Sequence, residues 1–162
     1  MPHSDEITLR PITDDDREFL LRVYEASRET ELSAVQWDAG LKRTFMEHQF
    51  DAQDAHYRKH YAGATFDIVL YGGEPCGRLL VHRGDSQFAI MDLTVLPDYR
   101  GRGIGGEMVH RIVGEAGDSG RSVRVFLETF NPHQAFFQKR GFAVVEDDGV
   151  SRRYEWHGGV TS

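Results

Sequence analysis

The densest cluster of residues able to do chemistry is YRGRGIGG, Tyr99 to Gly106. It packs four glycines and two arginines into eight residues, two residues after the apolar run AIMDLTVL. Glycines let backbone N–H groups approach an anion without side-chain obstruction. A helix starting at the end of such a loop adds partial positive charge. A pyrophosphate suits this chemistry. Gly101, Gly103 and Gly106 satisfy G-x-G-x-x-G, the dinucleotide fingerprint, and Glu128 lies about twenty residues on, where a ribose-binding acid is expected. Arg100, Gly103 and Gly105 satisfy R-x-x-G-x-G instead. No Gly-Lys-Ser/Thr follows the glycines, which excludes a P-loop.

The elements that must hold this loop are legible from periodicity. Ile7 to Arg10 alternates and stops at Pro11, a short strand. Thr13 is placed to cap a helix with Asp14, Asp15 and Asp16 in its first turn, where the helix dipole favours acids. Phe19, Leu20, Val23 and Tyr24 recur at helical spacing, and the pattern fades near Glu31. Ser33 is placed to cap a second helix carrying Val35, Leu41, Phe45 and Met46, interrupted at Gly40. The polar and aromatic stretch His48 to Tyr61 has helical propensity but a mixed face. Strand patterns follow at Thr65–Tyr71, Gly77–Arg83 and Gln87–Leu96, with Gly72 to Pro75 and Gly84-Asp85 as turns.

After the loop, Ile104, Met108, Ile112 and Val113 have helical spacing up to Gly117–Gly120. Ser122 to Glu128 is a strand that must run parallel to its predecessor across the helical crossover. Asn131 is placed as a cap with Pro132 at the first helical position, and Ala135, Phe136 and Phe137 are apolar. FAVVEDD and VSRRYEW form a last hairpin around Asp148-Gly149. The sum is a mixed α/β (α+β) fold with a mostly antiparallel sheet, in one domain spanning 1–162.

Composition narrows the function classes. A formal charge of −7 disfavours nucleic acid and favours cationic partners. No apolar run approaches the ~20 residues of a membrane span, and the N-terminal segment MPHSDEITLRPITDDD, Met1–Asp16, which begins acidic and has no apolar core, is not expected to be a signal peptide. The single cysteine, Cys76, permits no intrachain disulfide and fits a reducing cytoplasm. His56 and His60 stand four apart, as metal ligands on a helix do, but no H-E-x-x-H pattern accompanies them and no metal is expected.

The dinucleotide reading lacks its context. The unit starts near residue 90, after an antiparallel meander. Only about sixty residues remain, too few for repeated parallel units. The other reading accounts for more. The stretch DLTVLPDYRGRGIGGEMV, Asp92 to Val109, resembles the acetyl-CoA pyrophosphate loop of the GNAT superfamily of N-acetyltransferases, with its preceding V-x-P. FLETFNPHQAFFQKRGFAV, Phe126 to Val144, resembles that family's N-x-x-x-A-x-x-x-x-x-G-F element through Asn131, Ala135, Gly141 and Phe142. The strand order is similar over nearly the whole chain, whereas residues 33–61 match no general family motif.

The resemblance implies a sheet of about seven strands with helices on both faces and a splayed central strand pair holding the pantetheine arm. It implies acetyl-CoA as co-substrate, with the pyrophosphate on the backbone of Gly101, Arg102, Gly103, Ile104, Gly105 and Gly106, and charge from Arg100 and Arg102. Val95 would pair with the arm and aim its N–H at the thioester carbonyl as an oxyanion donor. Asn131 and Phe137 would adjoin the cofactor. The reaction implied is direct acetyl transfer to a primary amine in a ternary complex. An alkylammonium of pKa ~10.4 must first lose a proton, so a general base is required. Asp92 and Glu128 are the candidate bases, and His82 a third. The family's acid, a tyrosine four residues before the glycine of G-F, is here Phe137.

The acceptor is expected to be a small-molecule amine rather than a protein, bound by residues 24–61. Tyr24, Glu31, Trp37, Phe45, Gln49, Phe50, His56, Tyr57 and Tyr61 are the candidates. The resemblance allows a homodimer. Phe137 keeps a second class open, a non-catalytic acyl-CoA binding module. An NAD-binding oxidoreductase is the third.

Overall fold

A computed structural model describes residues 6–158, with the Thr30 and Glu31 side chains outside the description. Of the segment read for a leader, Met1–Asp16, the first five residues lie outside the described residues. The strands are β1 (Ile7–Pro11), β2 (Thr65–Tyr71), β3 (Glu74–Arg83), β4 (Gln87–Val95), β5 (Ser122–Glu128), β6 (Ala143–Asp147) and β7 (Ser151–Trp156). The helices are α1 (Arg17–Ser27), α2 (Glu29–Ser33), α3 (Ala39–His60), α4 (Ile104–Asp118) and α5 (Gln134–Gln138). The seven strands form one sheet in the order β1-β2-β3-β4-β5-β7-β6.

The chain divides into two compact units. One comprises the residues up to Leu80 with Asp92–Gly105; the other comprises Val81–Met91 and everything from Gly106. Strands β3 and β4 each contribute residues to both.

In the first unit, β1 pairs antiparallel with β2 from Ile7↔Tyr71 to Pro11↔Asp67. The chain then enters α1 through a 3-10 turn, Asp14–Asp16, after Thr13. Asp16 rather than Thr13 organises this turn. Its carboxylate accepts the Thr13 N–H at 2.8 Å and the Arg10 guanidinium in a fork at 2.8 and 2.9 Å. The core beneath joins Leu20, Leu21 and Tyr24 of α1, Met46 and Phe50 of α3, and Ile68 of β2.

Helix α3 departs from expectation. Ser33 ends α2 instead of capping the next helix, and the cap is Asp38, which accepts the Leu41 N–H at 2.7 Å. The helix then runs unbroken for 22 residues. Its mixed face has a physical reason. Met46, Phe50, Gln53 and Tyr57 share one stripe at helical spacing; the first two are core, and the last two are half-buried polar groups. Ion pairs Arg17–Asp51 and Arg43–Glu18 tie the outer face to α1. Strand β3 begins earlier than its pattern, at Glu74, because Gly72 and Gly73 alone make the turn, at φ +58° and +85°.

In the second unit, β4 and β5 are parallel, with registered pairs from Gln87↔Ser122 to Ile90↔Val125. That ladder covers only the first halves of both strands, as a splayed pair requires. Strand β5 also pairs antiparallel with β7 from Val123↔Trp156 to Glu128↔Ser151, so β7 separates β5 from β6. Met108, Val109, Ile112 and Ala116 give α4 a buried stripe. Asn131 does not cap a helix. Its side chain accepts the His133 N–H at 2.8 Å in an Asx turn, and α5 starts at Gln134. Gln134 pins that start, donating to the Glu128 carbonyl at 2.9 Å and accepting from the hydroxyl of fully buried Tyr154.

Candidate functional site

Strand β4 delivers the chain to the glycine loop through a firmly tied corner. The Leu96 N–H donates to the Cys76 carbonyl at 2.8 Å, and Pro97–Tyr99 makes a 3-10 turn. Gly77 lets β3 pass close to the end of β4: a Cβ there would stand 2.2 Å from the Thr94 carbonyl oxygen. Gly101 and Gly103 sit at φ +78° and +80°, a left-handed conformation that side chains resist. A Cβ on Gly101 would meet nothing within 4 Å, so the demand at this glycine is conformational rather than steric. Ile104, 2% exposed, anchors the first turn of α4. The first N–H groups of a helix have no intrahelical partner. With the loop's positive-φ glycines they form a cradle whose chemistry suits a diphosphate.

Both loop arginines are already engaged. Arg100 Nε donates to the Val95 carbonyl at 3.1 Å. Arg102 packs against the rings of Tyr99 and Tyr71, at 5.3 and 5.7 Å from their centroids, and donates to the Asp98 carbonyl at 3.3 Å. In the second unit, a further cation comes from a residue that the sequence pattern does not single out. The Arg140 guanidinium lies so close to Gly106 that a Cβ there would stand 2.6 Å from Nη2. It stacks on Phe136 at 3.8 Å and donates to that residue's carbonyl at 2.8 Å. Its placement beside Gly141-Phe142 was the only local signal.

The candidate bases differ in their bonding. Asp92 is held from both sides. Oδ2 accepts Arg78 Nε at 2.6 Å and also contacts Nη2, while Oδ1 accepts the Thr94 hydroxyl at 2.8 Å. Arg78 is only 4% exposed and also donates to Gln53 Oε1 at 2.7 Å. This buried network was missed by sequence reasoning; an arginine inside the apolar run GRLLV was its only trace. Beside it on α3, burial pushes the Tyr57 hydroxyl pKa up. Asp92 and Tyr61 add to that rise, while the charges of Arg78 and Arg28 oppose it. Glu128 is half-buried at the end of β5. Among the described residues, no hydrogen bond or ion pair holds its carboxylate. His82 lies at the other end of β3, its ring beside the Gly84 turn.

Phe137 is core, 6% exposed and packed edge-on against Phe136 and Phe142 at 5.0 and 5.3 Å between ring centroids. The His56 and His60 rings lie 4.5 Å apart, tilted by 46°, on an exposed face of α3. Among the described residues no group of three or more His, Cys, Asp or Glu could hold a metal ion. Among the described residues, no helix is long and apolar enough to cross a membrane.

The first unit holds a cavity of about 330 Å³. Tyr24, Arg28, Leu32, Val35, Trp37, Phe45, Met46 and Gln49 line it. Of the residues expected at an acceptor site, Tyr24, Trp37, Phe45 and Gln49 are there. Phe50 is core instead, His56 and Tyr57 lie farther along α3, and Tyr61 caps its C-terminal end. The Glu31 side chain lies outside the described residues.

Residues 20–142 match the model of the acetyltransferase (GNAT) family. No protein with a curated description matches the sequence significantly. Among solved structures, the chain is similar to PaiA N-acetyltransferase from Thermoplasma acidophilum in complex with coenzyme A, with a TM-score of 0.71 at 16% identity, over 93% of this chain and 98% of that one. An acetyltransferase from Thermus thermophilus has a TM-score of 0.68 at 23% identity, over 92% and 95%. A GNAT family acetyltransferase from Elizabethkingia anophelis with acetyl-CoA bound has a TM-score of 0.61 at 15% identity, over 94% and 99%.

Proposed function

Since the chain belongs to the GNAT acetyltransferase family, we propose that it transfers the acetyl group of acetyl-CoA to the primary amine of a small molecule. Attack is direct, within a ternary complex. The observation that carries this reading is the loop between β4 and α4. Its two left-handed glycines and the start of α4 suit the presentation of N–H groups to a diphosphate. CoA and acetyl-CoA in the structural neighbours support the same ligand.

The roles follow from chemistry. Residues 101–106 bind the pyrophosphate through backbone N–H groups, with Arg140 supplying charge beside Gly106. Arg100 and Arg102 hold the loop's shape through their bonds to Val95 and Asp98. The Val95 N–H serves as the oxyanion donor. Asn131 and Phe137 adjoin the cofactor, Phe137 through packing alone. The ammonium loses one proton to a base, the neutral nitrogen bonds the acetyl carbon, the C–S bond breaks with its electrons going to sulfur, and the nitrogen's second proton passes to solvent. A base needs a lone pair to offer. Asp92 spends its oxygens on Arg78 and Thr94, whereas Glu128 has no competing partner, so we assign the base role to Glu128. A thiol of pKa near ~8.5 leaves readily as the anion, and solvent protonates it where Phe137 replaces the acid. The single thiol, Cys76, is buried, and burial pushes its pKa up to about 11, which keeps it from acting as a nucleophile in the transfer.

Phe137 favours one second reading, an acyl-CoA binding module without turnover. Thermal melting with acetyl-CoA, CoA, NAD and ATP, followed by thiol release on an amine panel, separates the readings. Ligand at ~100 times its Kd adds about 2.7 kcal/mol. Stabilisation by the two CoA species alone, with thiol release on some amine, is the expected result. Binding without release selects the module, and stabilisation by NAD alone overturns both.

A further inference from the structure

We infer that Arg78 is a positioning residue for acetyl transfer, fixing through Asp92 and Thr94 the peptide group whose N–H meets the charge on the thioester oxygen. The inference rests on the reading of Val95 as the oxyanion donor.

A buried arginine inside the apolar run GRLLV is costly, and an apolar side chain of similar length would fill the same space. What the guanidinium adds is direction. Its Nη2 donates to Gln53 Oε1 of α3 at 2.7 Å, and its Nε donates to Asp92 Oδ2 of β4 at 2.6 Å. The other oxygen of Asp92 accepts the Thr94 hydroxyl at 2.8 Å. The series Gln53–Arg78–Asp92–Thr94 thus runs from the helix to the residue before Val95. Charge-assisted hydrogen bonds fix angle as well as distance, which packing alone does less sharply.

The backbone is held at the same place. The Thr94 carbonyl oxygen points at Gly77, so that a Cβ there would collide with it, while the carbonyl carbon stands 3.2 Å off. The C=O and N–H of a trans peptide point in opposite directions, so the Val95 N–H faces away from Gly77. One residue on, the Leu96 N–H donates to the Cys76 carbonyl at 2.8 Å. The Val95 carbonyl accepts Arg100 Nε at 3.1 Å. The registered pairing of β4 with β5 ends at Ile90, before this segment. Beyond that point the β3 edge and these side chains carry the alignment of β4. An oxyanion donor acts by being aimed before the reaction begins. Loosening the series should therefore lower kcat and spare the diphosphate grip of residues 101–106.

The test reads the thioester carbonyl directly. Acetyl-CoA carrying carbon-13 at that carbonyl is bound without an acceptor, and its stretching band is followed by isotope-edited infrared spectroscopy. In the native protein the band should fall below that of the free thioester, the mark of a donor at the oxygen. Thr94→Val, which is isosteric and lacks the hydroxyl, should return the band part of the way, as should Arg78→Lys, which keeps the charge. Both should lower kcat about tenfold or more, keep CoA affinity within about twofold and leave the shape of the pH profile unchanged. Thr94→Val decides the outcome alone should Arg78→Lys not fold. Asp16→Asn is the control for stability: it loosens the first unit through Arg10 and Thr13, and should move neither the band nor kcat. A shifted native band that these two variants leave in place, with kcat unchanged, overturns this inference and leaves the Val95 reading standing. Equal effects in Asp16→Asn would reduce the series to structural support and overturn it too. A native band at the free position, or no binding of acetyl-CoA, refutes the Val95 reading and this inference with it.

Discussion

Arg78 of β3 and Asp92 of β4 form a buried ion pair, with Nε 2.6 Å from Oδ2 and Arg78 4% exposed. The pair is completed by Gln53 from α3 and Thr94 two residues on. Removing one charge of such a pair strands the other in a low-dielectric interior. Asp92→Ala should therefore cost about 3 kcal/mol in urea unfolding, and Arg78→Met with Asp92→Ala together should recover part of it. A free base would behave differently. Asp92→Asn should retain the pH dependence of turnover, while Glu128→Gln should abolish its acidic limb. The reverse result would move the base role to Asp92.

Gly77 sits where β3 and the end of β4 nearly touch. A methyl there meets the Thr94 carbonyl at 2.2 Å and the Val95 Cα at 3.1 Å, both backbone atoms that cannot rotate away. Gly77→Ala should cost about 2–3 kcal/mol and weaken acetyl-CoA binding through displacement of Val95. A melting curve and a binding isotherm on the same variant check both. Unchanged values would mean that β4 has room to shift.

Gly103 holds φ at +80° within the phosphate cradle. A β-branched residue is strained there and covers the N–H groups besides. Gly103→Val should lower CoA affinity by more than about tenfold. Retained affinity in calorimetric titration would displace the pyrophosphate from this loop.

Asp16 is the group that sets an acid limit. The Arg10 hydrogen bonds, with the Thr13 N–H, hold its carboxyl at about 2 against the usual 3.8. A folded pKa below the unfolded one means that the stabilisation is present above pH ~4 and is lost as pH falls towards 2. With Arg10 39% exposed and partly screened, its size is about 2 kcal/mol. Asp16→Asn should thus narrow the difference between urea midpoints at pH 7 and pH 2.5. An unaltered difference would place the acid sensitivity elsewhere.

The single-domain reading has its own test. Strands β3 and β4 each supply residues to both compact units, so neither unit keeps its strands when the other unfolds. One calorimetric transition with equal van't Hoff and calorimetric enthalpies is expected. Two separable transitions would divide the chain into independent domains.

Features under local chemical control were readable from the chain alone. The bounds of β2 and β5, the loop at Gly101–Gly106 and the hairpin at Asp148-Gly149 follow from alternation and turn residues within a few positions of one another. The family match was legible too, because the loop and the Asn131–Phe142 element are short and ordered along the chain. The remainder came from folding, since burial and pairing join residues far apart in sequence. Gln53 and Tyr57 gave α3 a mixed face on paper, yet they border Arg78 and Asp92, partners that only folding brings to that face. Asp92 had the composition of a base until Arg78, fourteen residues away, occupied it. Strand β7 entered between β5 and β6, an order that periodicity does not encode. Tyr24 had the spacing of a core residue, and it is one, but it also lines a cavity that exists only once α1, the Val35–Trp37 segment and α3 are assembled.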